Sequence, residues 1–180
     1  MLIGLTGRNA SGKSTVVNWF SNKGLETSSC SDSIRAWLAE QNIEPTRDAL
    51  IEGGRELRRK GGAGILAEML LEILEGKDAV IDSIRTPGEV KALRKRDDFI
   101  LIEVRANIES RWERLQSRAR AGDPLDKETF IKQEKAEAVA RDEAGQALNA
   151  TAELADIVIL NDGTERELIA DLDELFLKLI

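Results

Sequence analysis

The sequence predicts an α/β fold built as a three-layer arrangement, a five-stranded parallel sheet with helices on both faces and a small helical lid. Three observations carry that prediction. The chain opens on a short apolar run, Leu2–Thr6, which passes through a glycine-bearing turn into a helical pattern. Four further short extended runs, three of them apolar, alternate with helical stretches, the alternation that gives right-handed crossovers and a sheet covered on both sides. Two Thr-x-x-Glu pairs, Thr86 to Glu89 and Thr164 to Glu167, read as capping boxes that open helices soon after the third and fifth runs.

Taken in order, the first helix is expected over residues 12–22, burying Val16, Val17 and Phe20 and stopping at Gly24, which suits a left-handed cap. Residues 25–30 read as the second strand, with Ser31 or Asp32 capping a helix that carries Ile34, Trp37 and Leu38. Pro45-Thr46 opens the next helix. It holds a Gly53-Gly54 pair ahead of Arg55, Arg58, Arg59 and Lys60. Each glycine costs a helix about 1 kcal/mol relative to alanine, so either something approaches the backbone there or the helix is broken. After the interruption at residues 61–64, Ile65, Leu66, Met69, Leu70, Ile73 and Leu74 recur at helical spacing as core. Residues 78–82, 99–104 and 156–160 read as the last three strands. A helix is expected from about Ile108, and a terminal helix places Leu168, Ile169, Leu172, Leu175, Phe176 and Leu179 on its apolar side.

The chain has 180 residues, enough for one well-buried domain, and residues 1–180 are read as a single unit. Hydrophobic residues at 42% and charged residues at 33%, without low-complexity tracts, fit a globular protein. A net charge of −7 argues against general nucleic-acid binding, which needs a basic surface. Histidine is absent, so no imidazole base or ligand exists, and the one cysteine, Cys30, cannot form an internal disulfide. No apolar stretch approaches the length of a membrane span and no charged leader precedes the first apolar run, so a cytoplasmic protein is expected.

The chemistry begins at Gly7-Arg8-Asn9-Ala10-Ser11-Gly12-Lys13-Ser14, which spells G-x-x-x-x-G-K-S between a strand and a helix. In such a loop backbone N–H groups from about Asn9 to Ser14 converge on phosphate oxygens, Lys13 reaches the β and γ phosphates, and the Ser14 hydroxyl ligates Mg²⁺. Gly7 through Thr15 are therefore assigned to a nucleoside triphosphate, with ATP as phosphoryl donor. Ligands of a parallel sheet sit beyond the strands' carboxyl ends. Two Asp-x-x-Arg units fall there, Asp32 to Arg35 and Asp82 to Arg85. Arginine offers a planar fork for phosphate or carboxylate, and aspartate can accept a proton or hold metal-bound water. The competing reading is a pair of caps with surface ion pairs. From Ile108, Arg111, Arg114 and Arg118 share one helical face opposite Trp112, Leu115 and Ala119, with Arg120-Ala-Gly-Asp-Pro124 following. This is either a lid that closes arginines over a transferring phosphoryl group or a solvated face paired with Glu109 and Glu113. Asn161-Asp162-Gly163-Thr164 can meet a base through backbone groups, or be only a turn and cap.

With these residues together the chain resembles the nucleoside monophosphate kinases of the P-loop NTPase fold, including their dephospho-CoA kinase branch. Ser29-Cys-Ser-Asp32-Ser-Ile-Arg35 is similar to the Ser-Thr-Gly-Asp-x-x-Arg stretch of adenylate kinases, whose arginine holds the acceptor phosphate. Asp82-Ser-Ile-Arg85-Thr resembles their Asp-Gly-Phe-Pro-Arg-Thr loop. Arg111, Arg114, Arg118 and Arg120 are similar in placement to lid arginines, and residues 156–168 resemble the adenine-side loop and last helix. The departure is Cys30, where dephospho-CoA kinases carry the first aspartate of Asp-x-Asp.

The resemblance implies a kinase acting on a nucleoside monophosphate, with a deoxynucleotide preferred as acceptor. Lys13, Asp32 and Arg118 are the expected catalytic residues. Arg114, Asn161 and Gly163 join the ATP site, while Asp32, Arg35, Arg58, Arg85 and Arg111 bind the acceptor. The acceptor region is expected over residues 32–76 and the lid over residues 111–145. Small-molecule nucleotides are the expected partners, with monomer and homodimer both open. Two alternatives stand beside this: a kinase directed at a hydroxyl, with Asp32 as general base, and a nucleotide-dependent switch ATPase.

Overall fold

The computed structural model describes residues 1–118, 123–139 and 145–179. Five strands, β1 (Leu2–Thr6), β2 (Glu26–Ser29), β3 (Ala79–Asp82), β4 (Phe99–Arg105) and β5 (Ile157–Leu160), form one parallel sheet in the order β2-β3-β1-β4-β5. The helices among the described residues are α1 (Lys13–Asn22), α2 (Cys30–Glu40), α3 (Arg47–Gly61), α4 (Ile65–Leu74), α5 (Pro87–Leu93), α6 (Ile108–Arg118), α7 (Lys127–Ala138), α8 (Leu148–Ala152) and α9 (Glu165–Leu179). The expected α/β architecture is the one observed.

β1 is apolar throughout because it is central and both its faces are covered. Leu2 joins one core with Ala79, Ile81 and Leu101 of the sheet and Ile34, Leu57, Leu70 and Val90 of α2 to α5. Ile3 and Leu5 face the other way and join Val16 and Phe20 of α1 and Leu168 and Leu172 of α9. Trp19, Phe20 and Phe176 meet edge to face across that second layer, with centroids 5.1 to 6.4 Å apart. The chain leaves β1, returns through β3 on one side and crosses to β4 on the other. That reversal opens a crevice at the carboxyl end of β1, where the glycine loop lies.

Several local expectations are corrected. Ser29, not Ser31 or Asp32, caps α2, its hydroxyl accepting the Ser31 N–H at 3.3 Å. The helix therefore starts at Cys30, and Asp32 to Arg35 lies within its first turns. α3 is unbroken across Gly53-Gly54. A Cβ at either glycine would stand 3.0 Å from Ile34, so the pair lets α2 pack directly on the α3 backbone. Ile73 is exposed rather than core, and Ile169 only skirts the apolar side of α9. α7 and α8 were not delimited by the periodicity. Arg120 and Ala119 lie outside the described residues.

The start of α3 is set as expected: Thr46 Oγ1 accepts the Ala49 N–H at 3.2 Å. Thr46→Ala should lower unfolding free energy by about 1 kcal/mol, read from a urea midpoint, and Thr46→Ser should restore most of it.

Candidate functional site

The loop from Gly7 to Ser14 is held from behind by its carbonyls. Lys13 Nζ donates to the carbonyls of Gly7 and Arg8 at 2.8 and 2.9 Å. Arg111 Nη1 reaches the Asn9 carbonyl at 3.3 Å, Arg114 Nη1 reaches those of Ala10 and Ser11 at 3.5 Å, and Asn161 Nδ2 donates to Ser11 at 2.8 Å. A trans peptide that turns its carbonyl one way turns its N–H the other, so this grip directs the loop's amides to the opposite side. Gly12 has φ +103°, and a Cβ there would lie 2.1 Å from Asn161 Nδ2. Only glycine lets the loop and the β5 end meet this closely. α1 begins at Lys13, adding the open N–H groups of a helix start to the same side.

Lys13 is largely withdrawn from water, and that burial lowers its pKa to about 8 against the opposing charge of Asp82. Ser11 is fully buried, and its hydroxyl has no hydrogen-bond partner among the described residues.

Three cavities surround the loop. One of about 460 Å³ is lined by Asn9 of the loop, by Arg35, Arg58, Arg85 and Arg118, and by an aliphatic wall that includes Ile34 and Leu66. A second, of about 580 Å³, lies over α6 and the β5 end between Arg114, Ser117, Asp162 and Gly163. A third, of about 250 Å³, joins Ser14 of the loop to Asp32 and Asp82. The cavities place the glycine loop, an arginine-lined chamber and a pair of carboxylates at one end of the sheet.

The expected residues are distributed as follows. Arg118 is at the junction, with Nη2 donating to Asn9 Oδ1 at 3.0 Å and the guanidinium also held by Asp123. Arg85 lines the chamber and donates to Gln146 Oε1 at 3.0 Å. Arg35 is exposed and turns back on Ser31 and Asp32, at 2.9 and 3.2 Å. Asp32 and Asp82 are not at equivalent places, because in the β2–β3 ladder Asp82 stands opposite Ser29. Asp82 ends its strand, whereas Asp32 sits on a helix.

Arg111 is not at the chamber. It lies buried behind the loop, donating to the Ala106 carbonyl at 3.0 Å and paired with Glu134 at 2.8 Å, so its charge supports the loop from below. Arg114 divides between the loop carbonyls and the Asn161 carbonyl, the latter at 2.7 Å. The side chain of Arg8 points away toward α7 and α8, donating to the Glu134 carbonyl at 2.9 Å and to Asn149. Arg58 borders the chamber but is buried against Glu89 at 2.9 Å. The alternative of a solvated face pairs the α6 arginines with Glu109 and Glu113, but Glu109 binds Lys127.

Sequence reasoning missed Asp123, Glu134, Glu137 and Gln146, which come from the stretch after α6. Their one signal was Asp126 followed three residues later by Thr129: Asp126 caps α7 by accepting the Thr129 N–H at 2.8 Å. Phe130 then stacks on Trp112 at 5.6 Å between centroids and docks the helix. Glu89 was read as a cap and is more. It is fully buried, accepts Arg58 Nη2, and takes the N–H groups of Arg85 and Thr86 at 2.7 and 3.1 Å, fixing the loop that carries Arg85.

No family model matches the chain. Its relatives include a UPF0200/UPF0201 protein of Archaeoglobus fulgidus, 30% identical over 99% of this chain and 55% of the relative. A UPF0200 protein of Pyrococcus abyssi is 27% identical over 100% of this chain and 97% of the relative. The chain thus spans about half the length of the first and nearly all of the second. Among solved structures it is similar to TT1252 from Thermus thermophilus, with TM-score 0.64 and 22% identity over 100% of this chain and 98% of that one. It is also similar to shikimate kinase from Bacteroides thetaiotaomicron, with TM-score 0.59 and 16% identity over 98% of both chains. The fold is that of P-loop kinases. APS kinase from Mycobacterium tuberculosis, solved with AMPPNP and APS, shares it at TM-score 0.53 and 14% identity over 97% of this chain and 96% of that one. Among the described residues no helix is long and apolar enough to cross a membrane.

Proposed function

We propose that this chain is an ATP-dependent kinase that moves the γ-phosphoryl group to the phosphate of a nucleoside monophosphate, with a deoxynucleotide as the preferred acceptor. The observation that carries the reading is the contact of Arg118 with Asn9. It joins the donor loop to the chamber lined by Arg35, Arg85 and Arg118, so two anionic substrates can be held in line. The loop amides and Lys13 hold the donor's phosphates. Arg114 and the Gly163 turn border the cavity suited to its base. Arg85 and Arg35 clamp the acceptor phosphate, and Arg118 neutralises charge on the group in transit.

Mg²⁺ fits this site. Ser14, Asp32 and Asp82 supply hard oxygen donors around one cavity. Among the described residues no three acidic or cysteine side chains converge tightly enough to hold an ion unaided. That suits a cation bound with one or two carboxylates plus substrate phosphates. Bound there, Mg²⁺ supplies charge neutralisation of the phosphate oxygens. Cys30 does not contribute: at the start of α2 its side chain is buried with the apolar core, and burial pushes its thiol pKa well up.

An anionic acceptor is already a nucleophile and needs no base, so Asp32→Asn need not abolish turnover. The second reading, transfer to a hydroxyl, is favoured by the same Asp32 beside Ser14, and predicts that Asp32→Asn abolishes turnover. Incubating the chain with Mg-ATP and a panel of nucleoside and deoxynucleoside monophosphates plus dephospho-CoA, read by mass spectrometry, separates the readings. No phosphorylated product across the panel would sink both.

The lysine gives a pH test. Its ammonium form holds the polyphosphate, so ATP affinity should be full below about pH 8 and fall as pH rises through that value. A bound polyphosphate draws the proton back, so calorimetry in buffers of different ionisation enthalpy should show proton uptake on binding above about pH 8. Affinity unchanged from pH 7 to 9.5 would contradict this assignment. For the free chain the sign is opposite: the buried ammonium costs stability below about pH 8, and the cost is relieved as pH rises toward 10.5.

A further inference from the structure

Each arginine at the chamber has an acidic partner, and two of those partners come from one stretch of chain beyond α6. Arg118 is gripped by Asp123 through two parallel bonds, Nε to Oδ2 at 2.9 Å and Nη2 to Oδ1 at 2.8 Å. Arg85 Nη1 stands 3.5 Å from Glu137 Oε2 on α7. Asp123 and Glu137 line the same 460 Å³ chamber as the arginines they meet. A carboxylate on a guanidinium fork presents the oxygen pair that a phosphate would present there.

Glu134 lies one turn before Glu137 and is placed differently. It is buried behind the donor loop, 2.8 Å from Arg111 and 3.9 Å from Arg8. The Arg111–Glu134 pair has side chains only 6% and 10% exposed, whereas Arg85 is 34% and Arg118 26% exposed. Breaking the first pair strands a buried charge, whereas in the other two, whose carboxylates Glu137 and Asp123 are 19% and 12% exposed, the arginines stay open to a replacing anion. One helix therefore carries a fixed anchor and, a turn later, an exchangeable anion.

We propose that Asp123 and Glu137 are internal anions that occupy the chamber arginines Arg118 and Arg85 and are displaced by the phosphate of the incoming acceptor, while Glu134 keeps α7 docked. This rests on the reading of the chamber as the acceptor's. A phosphate brings up to two charges and three acceptor oxygens, and so outcompetes a single carboxylate. A neutral molecule of the same shape does not. The two carboxylates thus set a charge threshold for occupancy, selecting phosphorylated over unphosphorylated acceptors.

The test is calorimetric titration of the full chain with inorganic phosphate. Glu137→Gln and Asp123→Asn should each tighten phosphate binding about three- to tenfold relative to the unmodified chain. The gain from Glu137→Gln should vanish when Arg85→Ala is added, and that from Asp123→Asn when Arg118→Ala is added. Glu109→Gln removes the same charge at the Lys127 pair on the surface and should change affinity less than twofold. The proposal is overturned if neither variant tightens binding, if no phosphate binding is seen in any form, if Glu109→Gln matches the gain, or if the gain survives loss of the arginine. A panel without product, alongside the expected phosphate titrations, removes the kinase reading and leaves the exchange standing.

Discussion

Replacing Lys13 with alanine is expected to slow phosphoryl transfer by about 10²–10³-fold, the scale seen when one fixed charge-stabilising donor is lost from a site. The residue holds two loop carbonyls and, in the proposed role, would also face the donor's phosphates, so two effects combine. Losing the ammonium removes charge stabilisation, and losing the bonds to Gly7 and Arg8 frees the loop. Lys13→Arg separates them. A guanidinium keeps the charge but puts a larger planar head in the place of a compact ammonium, so recovery should be small. Steady-state turnover with the best acceptor reads the effect, and full activity in Lys13→Ala would remove the donor assignment.

The second large effect concerns folding. Glu89→Ala should cost about 3–5 kcal/mol in unfolding free energy, because it strands the buried charge of Arg58 and leaves two loop N–H groups without their acceptor. Glu89→Gln keeps an acceptor oxygen and should cost less. If denaturant unfolding shows Glu89→Ala within 1 kcal/mol of the unmodified chain, the buried pair is not what holds α3 and the Arg85 loop together. Where Glu89→Gln remains folded, the acceptor KM should rise more than kcat falls, because the loop that aims Arg85 has loosened.

The glycine loop between β1 and α1 was legible in the sequence because its signal is local: residue types, spacing and flanking elements all fall within fifteen positions. The sheet was legible for a related reason, since each buried strand is a short apolar run ended by a turn or cap. The acceptor side was less so. The Asp-x-x-Arg units look alike along the chain, but Ser28-Ser29-Cys30-Ser31 carries no strong signal for where β2 ends. The strand stops early enough to put Ser29, not Asp32, opposite Asp82. Arg111 shows a different limit. Helical spacing puts it on one face with Arg114 and Arg118 but does not say which end of the face lies under the loop and which over the chamber. The stretch carrying Asp123, Glu134 and Glu137 escaped because α7 is polar around most of its surface and is held by one ring stack and by ion pairs to distant residues.

The proposed two-substrate site, with the glycine loop and the arginine chamber joined at Arg118, requires that the phosphoryl group pass between bound substrates rather than to water. The most direct measurement is a single-turnover reaction with Mg-ATP labelled in the γ-phosphate, run with the active members of the acceptor panel and without them. The label should appear in the phosphorylated acceptor, with little inorganic phosphate formed when no acceptor is present. Label released as inorganic phosphate at the same rate with or without any acceptor would contradict the two-substrate site and point instead to a nucleotide-hydrolysing switch.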